Sequence, residues 1–276
     1  MDNTKYELTR ETILNWDGKK LFRIKALKDI KGIVNKGEFG GFIATETNLQ
    51  VSGNAWVSGN ARVYGDARVH GDARVSGNAQ VYGNAQVSGN AQVYGDARVS
   101  GNAQVYGNAQ VYGDAWVYGN ARVHGDARVS GNAQVYGDAR VSGNAQVYGD
   151  ACLQFGELTE DMFSNLQATI ASSLNIYPIK GFYYLYKRVW KVSDGKYKSC
   201  YNDKTFYTDS KVTRIKNFNP DINISCSSGI HASTPFYYSG GDTLIAVKIK
   251  VNDVITCLDG KIRCKAITTI GEIKNR

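Results

Sequence analysis

From Val51 to Cys152 the chain repeats one pattern every six residues: valine, a polar or aromatic residue, glycine, asparagine or aspartate, alanine, and then a polar or bulky residue. VSGNAW, VSGNAR, VYGDAR and VHGDAR open the series and VYGDAC closes it, giving 17 uninterrupted hexads in which Val, Gly and Ala never vary. A period of six fits neither an α-helix nor the alternation of a long plain strand. It does fit a short strand followed by a corner. Valine is β-branched and favours extended backbone. Glycine followed by Asn or Asp tolerates the positive φ of a tight corner. Alanine is small enough to sit inside it, and the residues flanking each valine then point outward by strand alternation.

Three such sides close a coil of 18 residues, so the region predicts a triangular prism with valine stacked on valine and alanine on alanine. At about 4.8 Å per coil it is roughly 30 Å long. On these residues the segment 51–152 resembles the hexapeptide-repeat family of left-handed parallel β-helices. That fold departs from the usual right-handed crossover. Ile33, Phe39 and Thr45 are spaced to begin one further coil in register. A solenoid must cover its open ends. ILNWDGKKLFRIKAL, two apolar runs around Asp17-Gly18, predicts a hairpin cap at the front. Behind it, Thr159 predicts the start of an amphipathic helix with Met162, Phe163, Leu166, Ile170 and Leu174 on one side, either capping the prism or joining subunits.

The expected architecture is therefore mainly β: a cap and first coil over 1–50, a left-handed β-helix over 51–156, a linking helix over 157–179, and a small α+β domain over 180–276. In the last part FYYLYKRVWKV, DTLIAVKIKV, DVITCL and KIRCKAITTIGEI read as strands, split by turns at Ser193-Asp194-Gly195 and Asp259-Gly260.

Threefold folding sorts the outward side chains into columns. One face carries Tyr64, Tyr82, Trp116, Tyr118 and Tyr136 among Arg and Gln. Tyr, Trp and Arg are favoured interface anchors, so this face is the expected oligomer surface. The same residues could instead stack on one another along the ladder. Related β-helices commonly trimerise side by side, and the resemblance implies a homotrimer. Neither of two enzyme classes found on this fold matches the repeats. The hexapeptide acyltransferases use a loop that interrupts the coils, and none does so here. The γ-class carbonic anhydrases hold a metal with three His, whereas His70 and His124 stand three coils, about 14 Å, apart.

Composition adds little beyond this. The chain has 276 residues, 42% of them hydrophobic, with 30 Gly but only 3 Pro, which excludes a collagen-like repeat. No run is long and apolar enough to span a membrane. MDNTKYELTR lacks the apolar core of a secretory signal, and five Cys do not form a paired framework, so an intracellular protein is expected. The net charge of +8 divides into +2 over residues 1–50, zero over 51–152 and +6 over 153–276. The C-terminal excess is scattered lysine, which ranks nucleic acid below other acidic partners.

The flanking segments carry two further resemblances. LFRIKALKDIKGIVNKGEFGGFIATETNLQVSGNAWV is similar to the lead-in of repeat proteins from phages and prophages, through Arg23, Ile24, Ala26, Leu27, Lys36, Gly37, Gly40, Gly41, Phe42, Asn48 and Leu49. The glycines suit a tight entry into the first corner. Cys226-Ser-Ser-Gly229-Ile230-His231, a strand, and then Lys261-Ile-Arg263 resemble an uncharacterised phage domain, the rIIB-like C-terminal domain, which brings no known activity. The order of FYYLYK, GIHAS and a long apolar strand also resembles ADP-ribosyltransferase folds, with Tyr186-Lys187 standing where His-Gly is expected.

These resemblances imply a phage-encoded protein of the host cytoplasm. They point to a non-enzymatic trimeric platform presenting C-terminal domains that bind or sequester a host factor, either a host protein or a nucleotide, in counter-defence. The alternatives are an ADP-ribosyltransferase-like or other nucleotide-binding domain and a structural component of the virion. The expected contact residues are Lys187, Arg188, His231, Tyr237 and Tyr238, with no cofactor, metal or membrane involved. Cys226 and His231 have the elements of a nucleophilic pair, and Cys200, Cys226, His231, Cys257 and Cys264 those of a zinc set, but with irregular spacing. The bland alternative gives Gly229 a turn and has His231 satisfy the backbone beneath it.

Overall fold

The structure, a computed structural model, describes residues 3–161, 164–201, 203–237 and 240–274. The chain divides into two compact units, residues 1–149 with 153–162, and residues 150–152 with 163–276.

The first unit is a parallel β-solenoid of about six turns. Each side of a turn contributes a strand of two residues, the outward one and the inward valine, as in Arg98–Val99. Partners lie 18 residues apart: Arg98 pairs with Gln80 on one side and Trp116 on the other. Around each corner the chain donates to the next coil from three places. Asn102 N reaches Gly119 O at 2.8 Å, Gln104 N reaches Ala121 O at 2.9 Å and Tyr106 N reaches Val123 O at 3.0 Å. The repeat's valines from Val57 to Val147 are fully buried, and its alanines fill the corners beside them. The glycine is demanded twice over. Gly101 has φ +67°, and a Cβ there would lie 3.0 Å from the backbone nitrogen of Gly119. The following Asn or Asp side chains form a ladder of their own, in which Asn102 Nδ2 donates to Asn120 Oδ1 at 3.1 Å.

The start of the solenoid differs from the expected register. Ile43 and Leu49 open the first coil, not Ile33, Phe39 and Thr45: Ile43 lies beside Val63 and Leu49 beside Val69. Both steps are 20 residues, and the two extra residues fall between Leu49 and Trp56. Val51 is therefore partly exposed and in no strand, because Leu49 already fills the inward place on that side. Asn48 makes this corner. It is fully buried, donating from Nδ2 to Gly65 O at 2.9 Å and Ala67 O at 2.8 Å. Its Oδ1 accepts from the Thr45 amide at 2.9 Å.

The hairpin cap is present as strands Tyr6–Leu14 and Lys20–Ala26, turning through Gly18 at φ +78°. Its second strand lies antiparallel on Phe39–Ile43, which in turn runs parallel to Arg62–Val63, so the cap continues one side of the prism. The Tyr6 hydroxyl donates to Leu49 O at 2.7 Å. Gly40 and Gly41 serve close approach and not positive φ: a Cβ on Gly40 would lie 2.6 Å from Val57 O, and one on Gly41 2.6 Å from Ala61 O. The Arg23 guanidinium sits over the Phe39 and Phe42 rings at 5.3 and 5.5 Å and pairs with Glu11 at 2.7 Å. At the far end Leu153 and Leu158 replace valine, and Glu157–Leu158 lies beside Arg140–Val141 after a corner shortened by one residue.

In the second unit the helix spans Leu166–Leu174, capped by Asn165, whose Oδ1 accepts from the Ala168 amide at 3.0 Å. It does not begin at Thr159, because Leu158 is still held extended, its carbonyl accepting from the Ser142 amide at 3.0 Å. Met162 and Phe163 of the expected stripe lie outside the described residues. Ile170 and Leu174 pack into the second unit's own core with Tyr183, Leu185, Val189 and Ile245. That core lines an antiparallel sheet. Its strands run in the order Val212–Arg214, Ala266–Glu272, Thr243–Lys250, Phe182–Ser193, Ile230–Ser233, Lys261–Cys264 and Val254–Leu258. Phe182–Ser193 also pairs with Lys196–Lys198 across the turn at Gly195. The turn at Asp259-Gly260 has φ of +51° and +67°.

A cationic cleft in the second unit

Strand Phe182–Ser193 pairs fully with Thr243–Lys250 on one side. On the other it touches Ile230–Ser233 only where Tyr186 faces Ser233. A cleft of about 460 Å³ opens there. Four of the five expected contact residues, Lys187, Arg188, His231 and Tyr237, line it together with Cys226 and Lys261. Tyr238, the fifth, lies outside the described residues. Among the described residues, no Asp or Glu lines the cleft.

Lys187 is 7% exposed. Its Nζ donates to His231 O at 2.9 Å and lies 5.5 Å from the centre of the Tyr207 ring. No carboxylate among the described residues pairs with it. Burial pushes its pKa down to about 8. His231 Nε2 lies 3.2 Å from Ser225 O. A carbonyl only accepts, so Nε2 carries the proton of the neutral ring and Nδ1 is left as an acceptor. Burial and the neighbouring Lys187 charge push His231 down to about 4, which keeps the ring neutral at physiological pH.

The partnership of Cys226 with His231 is not formed. Cys226 is exposed, and its sulfur accepts from Lys261 Nζ at 3.1 Å. That hydrogen bond, with a second from Ser225, holds the thiol below its ordinary pKa. Lys261 also donates to Tyr237 Oη at 2.9 Å and Asp259 Oδ2 at 3.0 Å. Burial lowers the Lys261 ammonium, but these hydrogen bonds outweigh it and hold the pKa above its ordinary value.

Gly229 has a packing role where a turn was expected. It has no positive φ, and a Cβ there would lie 2.7 Å from Arg263 Cγ. Arg263, fully buried, donates to Asn219 O at 2.6 Å and also to Asp221 O. The guanidinium thus fixes the loop that carries Cys226, Ser227 and Ser228 to the cleft wall. Cys257 and Cys264 are buried, and among the described residues no three His, Cys, Asp or Glu gather at metal-binding distance. Lys261 and Arg263 were missed as site residues. Only the pairing of Ser233 with Lys261 and of His231 with Arg263 brings them to the loop.

On the solenoid, Tyr64, Tyr82, Trp116, Tyr118 and Tyr136 do share one face. Tyr64 stacks on Tyr82 at 5.1 Å and Tyr118 on Tyr136 at 4.9 Å, with rings within 4° of parallel. Ser100 leaves a gap in this column and Trp116 covers it: the indole Nε1 donates to Ser100 Oγ at 3.1 Å and the ring lies 4.4 Å from Tyr118. Self-stacking therefore accounts for part of the burial of these rings.

No curated protein matches the chain. A family model described as the YdcK β-solenoid repeat matches eight segments, several of them overlapping: residues 56–71, 61–77, 73–89, 91–107, 103–119, 109–125, 115–131 and 133–149. All lie in the first unit and cover about a third of the chain, so the hexads are similar to the YdcK β-solenoid repeat.

Proposed function

We propose that the second unit is a non-catalytic binding module for a small anionic ligand of the nucleotide class, displayed by the solenoid. The observation that carries this is Lys187: a buried ammonium on a cleft wall, with one donor engaged by a carbonyl and, among the described residues, no carboxylate partner. A buried charge of this kind is costly unless paired, and a phosphate supplies the pair. Arg188 adds positive charge, and Tyr186 and Tyr201 line the cleft as stacking partners for a base. Titration calorimetry with ATP, NAD and pyrophosphate tests it. Saturable binding that Lys187→Met removes supports the reading, and equal binding by the variant, or none of the three ligands bound, overturns it.

Together with the phage-like flanking segments, this reading extends to a phage accessory protein that sequesters a host nucleotide in counter-defence. Side-by-side trimerisation through the Tyr64–Tyr136 face would give it several copies of the cleft. Native mass spectrometry tests the assembly: a trimer carrying bound ligand supports it, and a bare monomer overturns it. Co-purification with particles would instead favour the virion component.

A further inference from the structure

The aromatic columns of the solenoid contain one wide break. On a second face, the place after the inward valine reads Ser58, Ser76, Tyr94, Tyr112, Ser130 and Tyr148. Tyr94 and Tyr112 stack at 4.9 Å with rings 2° from parallel. Below Tyr94 two successive rungs are serine, and a groove of about 370 Å³ opens there. Tyr94 lies at one end and Gly32-Ile33 at the other, with Trp56, Arg74 and Gln92 along its side.

The other face shows how this chain completes such a break. Trp116 stands 16 residues after Ser100, lays its indole in the vacated rung and satisfies its N–H on the serine hydroxyl. The residues standing 16 after Ser76 and Ser58 are Gln92 and Arg74. Neither offers a ring, so the rungs stay open with polar groups at the rim. Trp56 leaves them open too, since it is only 2% exposed and packs edge-on against Tyr6 at 6.5 Å.

We propose that this groove binds a small planar heteroaromatic molecule bearing an N–H donor. Its ring continues the stack on the open face of Tyr94, its donor meets Ser76 Oγ, and Arg74 and Gln92 hold polar substituents at the edge. The site lies in the solenoid and is independent of the cleft of the second unit. Stacking on an aromatic face adds to area burial and tolerates different ring types, whereas a saturated ring has no matching plane.

Indole is the probe, followed by saturation-transfer NMR and titration on the full-length protein, with cyclohexanol as the non-planar comparison. Wild type is expected to bind indole at one site in the millimolar range. Ser76→Tyr extends the existing column into the groove and is expected to abolish binding while the melting temperature holds or rises. Tyr94→Ala weakens binding roughly 2- to 10-fold through the lost stacking. Ser130→Tyr, which fills a gap in the same column away from the groove, leaves binding unchanged. Undiminished binding by Ser76→Tyr, cyclohexanol competing as well as indole, or no saturation transfer to wild type would each overturn the proposal.

Discussion

Replacing Lys187 by methionine separates the cost of the buried ammonium from its use. Burial moves its pKa from 10.5 to about 8. At 1.36 kcal/mol per unit, the folded protein bears about 3 kcal/mol for holding the charged form at neutral pH. Methionine keeps the length and apolar stem of the side chain and can retain a contact with the Tyr207 ring through sulfur. It loses the hydrogen bond from the charged ammonium to His231 O, about 1.5–3 kcal/mol. The net expectation is a second unit no less stable than wild type and gaining up to about 1.5 kcal/mol, a rise of up to roughly 6 °C in melting temperature for a unit of this size.

The pH dependence gives an independent check. Because the folded-state pKa is the lower one, the unfolded chain binds more protons between about 8 and 10.5. Wild-type stability therefore rises across that window, and the advantage of the variant fades through it. Scanning calorimetry of both proteins near neutral pH and near the upper end of the window measures this. A variant that melts lower at neutral pH, or a difference that does not change with pH, would refute the reasoning. The ligand adds a sign of its own: an anion paired with Lys187 should bind more weakly as pH rises through about 8, and should narrow the stability gap by favouring wild type.

Four further outcomes follow from the structure. Gly101→Ala places a Cβ 3.0 Å from Gly119 N at φ +67° and should destabilise the solenoid by about 1–3 kcal/mol in urea unfolding; an unchanged midpoint would contradict the corner geometry. Asn48→Ala removes the buried side-chain bonds to Gly65 O, Ala67 O and the Thr45 amide, and should cost about 2–4 kcal/mol by the same measurement. Cys226 should be alkylated by iodoacetamide ahead of Cys257 and Cys264, and Lys261→Met should slow that reaction by restoring a higher thiol pKa, as mass mapping would show. His231 is held down at about 4 against an ordinary 6.5, so the unfolded chain takes up its proton first as pH falls. Stability should therefore drop between those values by up to about 3 kcal/mol, and His231→Asn should flatten the drop.

Where the repeat runs unbroken, the chain states its own structure residue by residue. From Val57 on each valine is inward, each glycine has positive φ, and the outward columns fall 18 apart, because one coil satisfies the next by the same contacts every time. The first coil was harder to read. Val51 begins a perfect hexad yet lies outside the strands, since the inward place had been taken by Leu49 and the corner built by the Asn48 side chain. The cleft was legible only in part. Lys187, Arg188, His231 and Tyr237 converge on it, but no local pattern announces that Lys261 would reach Cys226 across 35 residues. Nor does one show that Gly229 makes room for Arg263 and not a turn. Both depend on strand register, which short segments do not fix until the sheet is assembled.

The bond between Trp116 and Ser100 gives the solenoid a reading frame. A coil of 18 residues gained or lost elsewhere in the prism lengthens or shortens it without disturbing any column. A single hexad gained or lost between Ser100 and Trp116 would carry the indole onto the neighbouring face, where Ser100 is no longer beside it, and leave that rung of the tyrosine column vacant. Changes in repeat number are thus silent in whole coils and frameshifting in thirds of one. Genetic drift in the length of such an array should leave the triplet phase of its hexads intact.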